Sequence, residues 1–127
     1  MIVCTLFEVT SEGGKGILSK WIAKHPQHRA GTKVRVHQLR LYGIGSEETL
    51  EWCCHEGDGI WKVKVKAKPQ FRPHLCKGPF SMNDEATFLE TAIEESFALD
   101  PSDVKERAIK RRQLLINDPT LKIELAI

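Results

Sequence analysis

Eight consecutive positions near the middle of the chain carry the most evident chemistry. Lys62, Lys64, Lys66 and Lys68 alternate with Trp61, Val63, Val65 and Ala67. A period of two predicts a half-buried strand with an apolar inner face. Its outer face would be a row of ammonium groups about 6–7 Å apart, two residues of strand rise. Phosphates along a nucleic-acid strand are spaced roughly 6–7 Å apart, so the row matches a polyanion. Arg72, His74 and Lys77 follow at once, and from Lys62 to Lys77 there are six Lys/Arg and no Asp or Glu. Guanidinium and ammonium groups can hold a phosphate and offset charge that builds on it. A histidine nearby could transfer a proton near neutral pH. The alternation fits equally well a sheet whose solvated face happens to be basic.

The rest of the charge is also segregated, although the formal net charge is only +2. Lys15 to Arg40 holds seven Lys/Arg and no acid, and Asp84 to Asp103 holds seven acids and no base. Val104 to Arg112 returns to five basic residues against Glu106. Blocks of this kind bear on partners more than the net charge does. The four cysteines include no CxxC pair, so a structural zinc site is not expected and buried free thiols are. No metal or other cofactor is implied. His25 and His28 flank Pro26, and two histidines alone do not make a metal site. Lys15 follows Gly13-Gly14, but the spacing and the missing Ser/Thr exclude a phosphate-binding P-loop.

The elements that must position these residues can be read in order. The length, 127 residues, fits a single domain with one core. No apolar run is long enough for a membrane helix, and the N-terminus lacks a basic region before its short apolar run. A cytoplasmic protein with no membrane partner is expected. Ile2 to Phe7 predicts a first strand, and Thr10–Gly16 a loop. Ile17, Leu18, Trp21 and Ile22 predict a short helix ending before Pro26. Gln27 to Tyr42 predicts a second helix, with Val34, Leu39 and Leu41 inward and Gly43 as its stop. Together they form an αα-hairpin. Leu50–Cys54, Trp61–Lys68 and Phe71–Cys76 read as strands, the last held to an edge or bulge by Pro73. Glu85–Thr91 is open between helix and strand. Asp100-Pro-Ser-Asp103 is a helix-start signal, with Asp100 as N-cap, and predicts a helix from Val104 to about Ile116, with Arg107, Lys110 and Arg111 on one exposed side. Residues 120–127 are a closing strand, paired with the first, or a tail.

In this order the chain resembles the RelE/HigB-like toxin superfamily, in its phage-derived branch. Gly59-Ile-Trp-Lys-Val-Lys-Val-Lys66 is similar to the family's "dGiwelRvr" strand, and Phe71-Arg72-Pro73 stands where the family carries "yRv". Phe88-Leu89 stands at the last strand. Pro101 to Arg112 resembles the terminal "P..ei.rA..rr..yl" helix. The likeness spans roughly residues 1–117. It implies an α+β domain with an N-terminal strand, an αα-hairpin, a curved antiparallel sheet and a C-terminal helix. It also implies a metal-independent endoribonuclease that cleaves mRNA through 2′-hydroxyl attack, on or off the ribosome, neutralised by a cognate antitoxin. Matched residue by residue, Arg72 would hold the scissile phosphate. Lys64 and Lys66 would contact it or act as general base. His74, which has no family counterpart, is a candidate general acid. Lys62, Lys68, Lys77, Arg107, Lys110 and Arg111 are expected to bind RNA. The chain departs from the pattern at Glu94–Asp100, which is acidic and has no Tyr or His where the family carries a basic, aromatic-containing loop. A catalytically inactive RNA- or protein-binding relative, or a structural protein, therefore stands beside the toxin.

Overall fold

The computed structural model describes residues 3–10 and 14–127. The expected first residues of the opening strand and the middle of the Thr10–Gly16 loop lie outside them. The chain folds as one small α+β domain. Its main sheet has six strands: β1 (Thr5–Val9), β2 (Cys53–His55), β3 (Ile60–Val63), β5 (His74–Lys77), β6 (Glu85–Glu90) and β9 (Lys122–Glu124), ordered β2-β3-β5-β6-β1-β9. A second sheet joins β4 (Gln70–Phe71), β7 (Ile93–Glu95) and β8 (Ala98–Asp100).

The main sheet is mixed, not antiparallel as the family resemblance implied. β1 and β6 run parallel, while the other neighbours are antiparallel. Glu85–Glu90, ambiguous in sequence, is a strand because its six residues are all buried, with strands on both edges. The closing strand pairs with β1, Phe7 opposite Glu124.

Helices α1 (Ile17–Lys24) and α2 (Arg29–Tyr42) form the expected hairpin, joined by a 3-10 turn over Pro26–His28. Leu18, Ile22, Val36 and Leu39 pack with Leu6, Val63, Leu75 and Phe88 into the larger core. The inward face of α2 is Thr32, Val36 and Leu39, an i, i+4, i+7 stripe. Val34, expected inside, is exposed. α3 (Val104–Asn117) covers the opposite sheet face, where Ala108 meets Ile60, Cys76 and Leu89. It begins at Val104, as the sequence predicts, but its N-cap is Asp103 and not Asp100. The Asp103 carboxylate accepts from Arg107 Nε (2.9 Å) and makes no capping bond.

Candidate functional site: a basic cleft

The alternation around Trp61 does place Val63 and Val65 in the core. The strand itself ends at Val63. Val63 N–H donates to Pro73 O (2.9 Å), and the ladder with β5 ends there, because Pro73 has no N–H to give. Lys64 N–H turns instead to Trp52 O (2.7 Å), and its carbonyl accepts from Arg35 Nε on α2 (2.9 Å). Val65 then bridges to Phe71, closing residues 66–70 into a loop. α2 sits close against this loop. A Cβ on Gly31 would lie 3.0 Å from Val65 Cγ1 and 3.3 Å from the Lys66 carbonyl, so glycine permits the approach.

The result is a cleft of about 490 Å³ between α2 and the loop after β3. Among the described residues its cations are Arg35, Lys64, Lys66, Lys68 and Arg72, and Glu51 is its one acid. Trp52 lies in the wall, with the Arg35 guanidinium 4.5 Å from its ring centroid. Burial lowers the Arg35 pKa from its ordinary value, and the Glu51 charge pulls it back up. Among the described residues, no ion pair engages Lys64, Lys66 or Lys68. Three lysines with no ion pair among the described residues and an ordered guanidinium thus line one concave surface, an arrangement suited to phosphate.

Arg72 reaches this cleft but is not free within it. It is 7% exposed. Nη2 donates to Gln70 Oε1 (2.7 Å), Nη1 donates to Phe71 O (3.2 Å), and Nε faces Glu94 Oε1 at 3.5 Å without a hydrogen bond. Its charge stays in the wall, with its hydrogen-bonding capacity largely spent on the protein.

The other expected residues are elsewhere, so the four-lysine row does not form. Lys62 is on the α3 face, between Glu56 (3.4 Å) and Glu94 (4.0 Å). His74 pairs with Lys62 and is 1% exposed, with Nδ1 donating to Arg72 O (2.9 Å). Burial lowers its pKa. Its position is that of a buried neutral histidine, not a proton donor to a bound strand. An extra residue in β6 at the His74/Leu75 step brings Glu90 to the same side, where it accepts from Arg111 Nε (3.0 Å). Arg107 is paired with Asp103, and Lys110 is exposed on α3. These residues lie across the sheet from α2. Lys77 lies apart from both groups, 5.7 Å above the Trp61 ring.

Arg35, Glu51, Trp52 and Gln70 complete the cleft and were not singled out in the sequence. Arg35 belongs to the basic block Lys15–Arg40, but nothing local distinguishes it from its neighbours. Only the packing of α2 on the loop after β3 does so. The thiols are not part of the site: burial pushes Cys4 and Cys76 up to about 11 and Cys53 to about 12. Among the described residues no cluster of His, Cys, Asp or Glu could hold a metal, and no helix is long and apolar enough to cross a membrane.

No protein-family model, curated protein or solved structure matches this chain.

Proposed function

We propose that the chain binds the sugar–phosphate backbone of single-stranded RNA in the basic cleft, and acts as a divergent RelE/HigB-like toxin that cleaves mRNA. The observation that carries this reading is the convergence of Lys64, Lys66 and Lys68, none of them ion-paired among the described residues, with Arg35 on one concave wall. A polyanion is the ligand class that such a surface binds, and the buried Trp52 ring backs the Arg35 guanidinium in its wall.

Cleavage by 2′-hydroxyl attack needs the phosphorane charge offset, one proton removed and one delivered. Lys64, Lys66, Arg35 and the charge of Arg72 would supply the first. Glu51, a carboxylate that lines the cleft, would take a proton. A lysine ammonium would deliver the other. The partners would be mRNA, alone or on the ribosome, and an antitoxin protein.

A second reading is binding without cleavage. It is favoured by the burial of His74 on the other face of the sheet and by the acidic β7–β8 segment. Expression in a bacterial host, beside a Lys64→Ala/Lys66→Ala/Lys68→Ala variant, separates the two. Growth arrest and transcript fragments ending in 2′,3′-cyclic phosphate, both lost in the variant, support the toxin. RNA binding without fragments or arrest supports the second reading. Absence of RNA binding at low salt removes both.

A further inference from the structure

The hairpin joining β7 to β8 has a costly turn with no return inside the fold. Glu95 pairs with Ala98, so Ser96 and Phe97 form a two-residue loop. Both have positive φ, 51° and 64°. Such loops favour Asn-Gly, because a left-handed backbone penalises a side chain, and a bulky one most. Yet Phe97 occupies the second position with its side chain fully exposed. The ring adds nothing to the core and strains the turn. Strain retained without a packing gain points to a contact outside the fold.

The position of the hairpin indicates which contact. β7 runs antiparallel to β4, with Glu94 opposite Gln70, a residue of the cleft wall. Residues beyond Glu94 therefore travel alongside those before Gln70, toward the side of Pro69 and Lys68. Phe97 is three residues past Glu94, about 10 Å from that wall by strand rise. Glu94, the hairpin acid nearest the cleft, is turned to Lys62 and Arg72. Glu95 and Asp100 remain exposed on the hairpin.

We infer that Phe97 is a stacking platform for a base of the RNA strand where it leaves the cleft past Lys68. The inference rests on the RNA reading of the cleft. An exposed ring accepts the face of any base, so the contact extends the site without imposing sequence. The lysines hold phosphates, and the ring holds a base one or two nucleotides further on.

The test uses short single-stranded RNAs carrying 2-aminopurine at successive positions, with wild type, Phe97→Ala, Phe97→Gly, Phe97→Trp and Lys66→Ala. Wild type changes the fluorescence at one position near an end of the bound segment. Phe97→Ala weakens binding at least about fivefold and leaves the salt dependence unchanged. Phe97→Trp restores affinity. Phe97→Gly also weakens binding but raises the melting temperature by roughly 2–5 °C, because glycine relieves the turn. A merely structural residue does not gain stability while losing ligand. If Lys66→Ala weakens binding and Phe97→Ala does not, the inference is overturned and the cleft stands. If wild type binds no RNA, the cleft reading has failed and takes this inference with it.

Discussion

Removing one lysine from the cleft should change the salt dependence of RNA binding by a calculable amount. Lys64, Lys66 and Lys68 have no ion-pair partner among the described residues, whereas the Arg35 guanidinium donates to Lys64 O and Gln38 Oε1, and that of Arg72 to Gln70 Oε1 and Phe71 O. Three phosphate contacts are therefore counted. Each releases counterions worth a slope of about −0.7 in log K against log salt for a single strand, giving about −2.1 in total. Raising salt fourfold, from about 50 to about 200 mM, then weakens binding about 20-fold in wild type. In Lys66→Ala the slope falls to about −1.4 and the same change costs only about sevenfold. Fluorescence anisotropy with a labelled single-stranded RNA at several salt concentrations reads both values. Lys110→Ala, on exposed α3 across the sheet, is the control and leaves the slope unchanged. A wild-type slope near zero, or the same slope in Lys66→Ala and wild type, refutes the assignment of the cleft.

Three further outcomes test the framework around the site. Glu94→Gln leaves Lys62 and Arg72 without their shared carboxylate and should cost about 1–3 kcal/mol in urea unfolding; an unchanged midpoint would mean that the pairing is incidental. Gly16→Ala places a Cβ 1.8 Å from Glu8 Cδ, although φ at Gly16 suits alanine. Overpacking of this kind costs about 1–3 kcal/mol, and a Glu8→Ala/Gly16→Ala double variant should recover part of it. If the double variant is simply additive, the contact is not the cause. His74 has its pKa lowered by burial, so the folded state resists a proton that the unfolded state accepts. Stability is then full above about pH 6.5 and falls as pH drops below it, toward the lower folded value. Melting curves of wild type should show this loss between neutral and mildly acid pH, and His74→Gln should flatten it; parallel pH profiles would contradict the assignment.

Local pattern revealed much of the scaffold. The helical hairpin follows from the spacing of Leu18 and Ile22 and from the stops at Pro26 and Gly43. The alternation at Trp61–Val65 correctly sorted the valines inward. What the pattern missed was decided between elements. Pro73 ends the β3–β5 ladder one strand away, so the lysines after Val63 leave the strand and line a loop. Lys62, one step earlier, stays in the sheet and is neutralised under α3. On α2 the pattern rightly places Leu39 in the core, but Val34 only resembles a core residue and is exposed, whereas the buried stripe runs through polar Thr32 and Val36. Arg35 and Trp52 meet only through the packing of α2 on the loop after β3, which no window of sequence contains. The acids of β7, which break the family pattern, partly serve inward: Glu94 ties Lys62 and Arg72 together.

The claim that the cleft is where RNA binds is tested most directly by titrating a short single-stranded RNA into the isotope-labelled chain and following backbone and indole resonances. The account predicts shifts concentrated on Arg35, Trp52 and residues 64–70, with the Trp52 indole among the largest and Phe97 at the margin. Shifts confined to the exposed side of α3 around Lys110, or none at low salt, would contradict it.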